Sequence, residues 1–327
     1  MKAYIKNLSS YLPENILTNY DLEKTLDTNN DWIVSRTGIE ERRIADKNES
    51  SANMAIKAVK KLIEKKEKIN DADAVIVATS TKSYTFPSTA GLIQKEFNIK
   101  NSCLSFDISA ACSGYIYALN TAASLIESGE CKKVLIVAAE KCSDIVNWED
   151  RSTAILFGDG VSAALIEAKE KDDDSGVIIA TDIGSEPNDE ILIVKGGGSA
   201  EPITEKNIDE KLNSITMEGT EVFKKAVTTF DETIRKTVKS ANLELTDLNL
   251  IITHQANTRI MNAVAKKLGF DDSKFYINIQ KYGNTSAASV GIAFTEAFEK
   301  NAIKKGDYVL LTAFGAGLTW GSTLIKF

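Results

Sequence analysis

Three residues of this chain are placed for nucleophilic and oxyanion chemistry: Cys112, His254 and Asn284. Cys112 lies in Asp107-Ile-Ser-Ala-Ala-Cys-Ser-Gly114, between an apolar run, Leu104 to Ile108, and a helical pattern, Tyr115 to Glu127. Small neighbours let a substrate approach the backbone. The free N–H groups of a helix start favour negative charge, and a thiolate there is expected to have a lowered pKa. His254, the single histidine, follows the apolar run 248–253, and the end of a buried strand is where α/β sheets carry catalytic groups. Asn284 stands between Gly283 and a second helical pattern. Each has a structural alternative: a buried thiol, a satisfied strand-end imidazole, a helix cap. The turn Phe314-Gly-Ala-Gly-Leu318 is either a tight turn or a backbone N–H aimed at an oxyanion.

The elements that position these groups follow from periodicity. Runs 72–79, 134–139 and 163–166 are apolar without polar alternation, as strands buried on both faces are. They alternate with helical patterns over 50–68, 89–96 and 115–127, after polar helix signals over 18–36. The charged stretch Lys169-Glu-Lys-Asp-Asp-Asp-Ser-Gly176 breaks the pattern and reads as a linker. Beyond it, strands are expected at 177–181, 248–253, 275–279, 308–312 and 322–327, and helices at 218–242, 258–268 and 285–298, with an irregular glycine-rich loop over 195–215.

The second half echoes the first. Ser109-Ala-Ala-Cys-Ser-Gly114 matches Ser286-Ala-Ala-Ser-Val-Gly291, which puts Ser289 in the place of Cys112. Strands 75–79 and 134–138 recur near 250–253 and 308–312. Several matches at one offset argue for two related α/β halves, 1–170 with the cysteine and 171–327 with the histidine and asparagine. Mostly parallel, helix-covered sheets are expected in each half. The halves should face each other with both Ser-Ala-Ala helices near the centre and Cys112 at the junction.

Bulk properties exclude other classes. A chain of 327 residues with 43% hydrophobic and 26% charged residues is expected to be soluble and globular. Its net charge of −7 argues against wholesale nucleic-acid binding. No apolar run reaches the ~18 residues of a membrane helix, and the start does not read as a signal peptide. Four cysteines without C-x-x-C spacing and one histidine make zinc a poor reading. An intracellular, reduced protein fits best.

Cys, His and Asn in this order occur in papain-like proteases, but the protease sequence around the cysteine is missing and the doubled plan is wrong for that fold. The chain instead resembles the thiolase superfamily, and within it the β-ketoacyl-acyl-carrier-protein synthase III family. The motifs are Asn29-Asn-Asp-Trp32-Ile-Val-Ser-Arg36-Thr37-Gly-Ile, Ala111-Cys112-Ser-Gly, Phe157-Gly-Asp-Gly160, His254-Gln-Ala-Asn257, Gly283-Asn284-Thr-Ser-Ala-Ala-Ser and Phe314-Gly-Ala-Gly-Leu-Thr-Trp-Gly. They run in order through nearly the whole chain. Elongating ketosynthases resemble a Cys-His-His set that one histidine cannot supply. Biosynthetic thiolases use a late second cysteine, and none follows Cys142.

The resemblance implies a thiolase-like fold of two duplicated α/β halves, layered α-β-α-β-α, and a two-step condensation that initiates fatty acid synthesis. Cys112 takes an acyl group from acyl-CoA, with the N–H groups of Cys112 and Ala316 as oxyanion donors; malonyl-acyl carrier protein then loses CO2 and attacks. His254 and Asn284 would steady the enolate. Thr28, Trp32, Arg36, Thr37, Arg151 and Asn257 match CoA contacts. Lys224, Arg259 and Lys266 match a docking patch for the acidic carrier protein, and Phe86 a residue that reaches into the partner's acyl pocket. Ala316 stands where some members have Gly, which leaves the backbone donor intact. A cytoplasmic homodimer without metal, cofactor, nucleic acid or membrane is implied. The alternatives are a family member acting as acyltransferase or condensing enzyme in a specialised pathway, and a non-enzymatic carrier-protein scaffold, which has no need of a Cys-His-Asn set.

Overall fold

The computed structural model describes residues 1–169 and 176–327. The 170/171 boundary and the middle of the expected linker lie outside the described residues. The first half runs β1 (Lys2–Tyr11), β2 (Asn15–Thr18), α1 (Asn19–Leu22), α2 (Asn30–Thr37), β3 (Glu41–Ile44), α3 (Ser51–Glu64), β4 (Ala74–Ala78), α4 (Thr89–Glu96), β5 (Leu104–Ile108), α5 (Gly114–Glu127), β6 (Lys133–Lys141), α6 (Arg151–Ala154) and β7 (Asp159–Lys169). The second runs β8 (Val177–Asn188), β9 (Leu192–Val194), β10 (Ile215–Met217), α7 (Gly219–Ser240), β11 (Leu250–Thr253), α8 (Thr258–Leu268), α9 (Ile279–Tyr282), α10 (Ala288–Glu299), β12 (Tyr308–Gly315) and β13 (Gly317–Lys326).

The strand order shows the duplication. In the first half β5, β4 and β6 are parallel neighbours, with β7 and β1 antiparallel beyond them. In the second, β11 and β12 are parallel, with β13 and β8 antiparallel beyond them. Each half is therefore mixed rather than mostly parallel. Pairing of Tyr4 with Val177 joins the two into one nine-stranded sheet.

Side-chain alternation produces the layers. Ala74, Ile76 and Ala78 of β4 face a core that holds α5, α10 and the inner faces of β11 and β12. Val75 and Val77 face the opposite way, onto α3 and α4. Ile251 and Leu310 turn likewise onto α7 and α8. The order is thus helix, sheet, helix, sheet, helix. Most residues of the central pair, α5 and α10, are buried because it is covered on both sides. Its close packing depends on small residues: a Cβ on Gly291 would lie 2.1 Å from the Ser162 hydroxyl and 2.6 Å from the Tyr115 ring.

Two expectations change. Residues 275–279 form no strand; Phe275 makes a single parallel bridge to Ile251, and Ile279 already starts α9. The Gln255 side chain takes the place of a ladder partner, donating to the Thr253 and Tyr276 carbonyls (2.9 and 3.2 Å) and accepting from Asn278 N–H at 3.0 Å. The helical signals over 18–36 resolve into α1 and α2, capped separately by Thr18 and Asn29.

Candidate active site

Cys112 sits in a 3-10 turn, 111–113, directly before α5. Ala111 enters this turn at φ +43°, a left-handed conformation that is costly for a residue with a Cβ. The turn is tied to β13 at both ends: Thr319 Oγ1 donates to the Ala110 carbonyl (3.0 Å) and Ser113 Oγ to the Thr319 carbonyl (2.9 Å). Gly315, at the end of β12, lies against it so closely that a Cβ there would be 2.7 Å from Cys112 Cβ and 2.8 Å from its nitrogen. That contact carries Ala316 to the same cavity wall as Cys112. Asp107, beside this stretch in sequence, accepts from Thr89 and Ala90 N–H and so caps α4.

His254 follows β11 and is buried, its backbone N–H donating to the Thr312 carbonyl of β12 at 2.7 Å. Burial holds its pKa down at about 3, so the ring is neutral at physiological pH. Its Nδ1 lies 2.5 Å from Ser289 Oγ. Asn284 is clasped by the Phe157-Gly-Asp-Gly160 segment: its N–H donates to the Leu156 carbonyl (2.8 Å) and its carbonyl accepts from Gly158 N–H (3.0 Å). Gly158 and Gly283 allow this approach, since a Cβ on either would meet backbone oxygen at 2.4 and 2.7 Å. The Asn284 carboxamide oxygen accepts from Ser286 N–H at 2.8 Å, which leaves the NH2 as the group offered to a ligand.

Cys112, His254, Asn284 and Ala316 line one cavity of about 890 Å3, and Trp32, Arg36, Thr37 and Asn257 line it too. The Arg36 and Arg151 guanidinium carbons lie 5.8 and 4.7 Å from the Trp32 ring centroid, a cationic cluster suited to phosphates. Arg151 itself does not line the cavity; it donates to the Asp27 carbonyl at 2.6 Å. Thr28 also stands back from it, with a buried hydroxyl that lacks a partner among the described residues. The Thr37 hydroxyl is used within α2, donating to the Ile33 carbonyl. Lys224 and Arg259 line the cavity from α7 and α8, whereas Lys266 is exposed further along α8. Phe86 is 83% exposed and lies outside the cavity. The described residues contain no cluster of three or more metal-ligating side chains, and no helix among them is long and apolar enough to cross a membrane.

The lowered thiol pKa expected from the helix start is not what the surroundings produce. Burial pushes the Cys112 thiol up to about 12; the charge of Glu140 adds to this, while hydrogen bonding with Ser286 and with the Cys112 backbone pulls the other way. Ser286 stands two residues before α10, as Cys112 stands two before α5, and its Oγ is 3.8 Å from the sulfur. Ser289 is one turn on, under His254. Sequence reasoning missed the roles of both serines, although both stand in the quoted Asn284 motif. It also missed Glu140, a fully buried carboxylate whose only signal was a charge ending the apolar run 134–139.

A doubled α/β fold with a thiol, a neutral imidazole and a carboxamide in one cavity defines a thiolase-fold acyl-transferring enzyme. Two family profiles match, 3-oxoacyl-(acyl-carrier-protein) synthase III over residues 106–187 and its C-terminal region over 238–327. The β-ketoacyl-acyl-carrier-protein synthase III of Caldanaerobacter subterraneus subsp. tengcongensis is 46% identical, covering 99% of this chain and 98% of its own. That of Fusobacterium nucleatum is 44% identical over 99% and 98%. The crystal structure of the Aquifex aeolicus 3-oxoacyl-acyl-carrier-protein synthase III superposes with a TM-score of 0.91 at 44% identity, covering 99% of this chain and 100% of that one. The chain belongs to the β-ketoacyl-acyl-carrier-protein synthase III family, the condensing acyltransferases that initiate fatty acid synthesis.

Proposed function

We propose that Cys112 accepts an acyl group, acetyl or similar, from acyl-CoA and passes it to the carbanion of decarboxylated malonyl-acyl carrier protein. The observation that carries this reading is the convergence of Cys112, His254 and Asn284 on one cavity. In the first step the sulfur attacks the thioester carbonyl, the N–H groups of Cys112 and Ala316 receive the oxyanion, and CoA leaves. In the second, loss of CO2 leaves an enolate on the thioester oxygen. His254 donates to it through Nε2 and Asn284 through its NH2.

CoA lies along Trp32, Arg36, Thr37 and Asn257, with Arg151 and Thr28 at the far side. The carrier protein, an acidic partner, docks on Lys224, Arg259 and Lys266. The halves 1–170 and 171–327 divide the work, the first supplying the nucleophile and the second the enolate donors. The protein works as a cytoplasmic homodimer, without metal or other cofactor, and the exposure of Phe86 suits a side chain that reaches a partner's acyl pocket.

The test is mass spectrometry of Cys112 after incubation with acetyl-CoA, alongside trapping of labelled CO2 from malonyl-carrier protein. Acyl-Cys112 followed by CO2 release is expected. A protein that acylates but never decarboxylates malonyl groups would instead be an acyltransferase of a specialised pathway.

A further inference from the structure

Glu140 is the last residue but one of β6, in a site with no access to solvent, and the two-step chemistry above gives it no task. Its carboxylate accepts from Ser80 N–H (3.1 Å), Thr81 Oγ1 (2.7 Å) and Ser286 Oγ (3.3 Å). Ser286 Oγ in turn lies 3.8 Å from Cys112 Sγ. A serine hydroxyl has one proton, and an ionised carboxylate only accepts. The Ser286 proton therefore points to Glu140, and its oxygen is left to accept from the Cys112 S–H. The three groups form a directed chain, S–H to O–H to carboxylate.

We propose that Glu140, acting through Ser286, positions the Cys112 thiol and receives its proton during acylation. This rests on the reading of Cys112 as the acylated residue. As the sulfur–carbonyl-carbon bond forms, the S–H proton passes to Ser286 oxygen, and the Ser286 proton passes to Glu140. The bond from carbonyl carbon to CoA sulfur then breaks, and its electron pair leaves with CoA. Glu140 returns the proton along the same chain when the condensation product departs and the Cys112 sulfur becomes a thiol again; CoA takes its proton from solvent. Such a chain removes the need for a resting thiolate, which this buried site disfavours. His254 is not the base from its present position: burial holds its pKa down at about 3, which makes it a weak proton acceptor, and its Nδ1 is occupied by Ser289.

The protonation state suits the task. Burial pushes the Glu140 carboxyl up to about 7 against the hydrogen bonds from Thr81, Ser80, Ser286 and Ala287, and a base near the working pH is most effective. The titratable groups that face it are two thiols, Cys112 from the turn before α5 and Cys142 at the end of β6. Among the described residues no lysine, arginine or histidine is paired with it. With the folded value raised, Glu140 is protonated below about pH 7 and then cannot take up the thiol proton. Acylation should fall as pH drops through that value.

The experiment is rapid-quench mass spectrometry of acyl-Cys112 formation from acetyl-CoA between pH 5.5 and 8.5. Wild type is compared with Glu140→Gln, which keeps size and hydrogen bonding, and with Ser286→Ala, which cuts the chain. Both variants should acylate about 10²-fold more slowly at pH 8, the low end for general-base assistance. Both should lose the decline on the acid side, and Ser286→Thr, which keeps the hydroxyl, should restore it. A Glu140→Gln enzyme with the wild-type rate and profile overturns the relay, as does one that is slow at every pH yet keeps the acid-side decline. Should Glu140→Gln not fold, Ser286→Ala with its threonine control decides by the same criteria. Absence of acyl-Cys112 in the wild type would remove the parent reading and the relay together; an unchanged variant beside an acylating wild type removes the relay alone.

Discussion

His254 Nδ1 and Ser289 Oγ lie 2.5 Å apart, and this contact sets the tautomer of the ring. The Gln255 N–H donates to the same serine oxygen at 3.4 Å, and we assign the serine proton to Nδ1. The ring proton is then on Nε2, the nitrogen left for a ligand. Ser286 and Ser289, three residues apart at the start of α10, thus sit beneath the thiol and the imidazole respectively.

From this arrangement His254→Ala and Asn284→Ala should still form acyl-Cys112 but release CO2 from malonyl-carrier protein ~10²–10³-fold more slowly, the usual effect of losing one oxyanion donor. Ser289→Ala should show a smaller loss in the same step. Cys112→Ala should not acylate. Loss of acylation in His254→Ala, read by acyl-enzyme mass, would return the imidazole to the role of base for the thiol.

Iodoacetamide should reach Cys112 before Cys103, Cys131 or Cys142. All four thiols are buried, yet Cys112 opens on the cavity beside the nucleophile's own wall, and Cys142, which also lines it, is only 1% exposed. Because burial holds the Cys112 thiol at about 12, labelling of Glu140→Gln, in which no carboxylate takes the proton, should still climb between pH 7 and 9. A plateau by pH 8 in that variant would mean that the helix start outweighs burial after all.

Arg259→Glu should slow the reaction with malonyl-carrier protein and leave acylation by acetyl-CoA nearly unchanged. Its guanidinium carbon lies 5.9 Å from the Phe223 ring centroid, on the face that α7 and α8 share at the cavity. Comparison of the two half-reactions at low and moderate salt checks this; an equal fall in both would assign the residue to CoA instead.

Gly291→Ala should destabilise the fold by about 1–3 kcal/mol, the range for overpacking. The added carbon would press on Ser162 and Tyr115 between the two central helices. Thermal melting measures it, and a melting temperature within a degree of wild type would show that α10 can slide.

Most strands and helices, the layering and the three residues that meet in the cavity, Cys112, His254 and Asn284, were legible from motif order and apolar runs. Local sequence could not supply what depends on distant partners. The thiol pKa was misjudged because a helix start is visible in sequence while burial and Glu140 are not. Strand 275–279 was expected from β-branched and aromatic residues, but Gln255, twenty residues away, uses that backbone. Ser286 and Ser289 read as helix-start residues until their side chains were placed.

One relationship in β12 separates two kinds of evolutionary freedom. Thr312 holds the backbone of His254 and Gly315 abuts Cys112, so the gauge between imidazole and thiol is three residues of strand, about 10 Å. A length of paired backbone is indifferent to most side-chain exchange. The cavity wall opposite comes from β9 and β10, with Leu192, Ile193, Val194, Ile215 and Met217, on short strands outside the main sheet. Substitutions there can reshape the cavity while Cys112 and His254 keep their spacing. The shape of the cavity and the spacing of its polar groups are therefore set by different stretches of chain, and a substitution can alter one and leave the other in place.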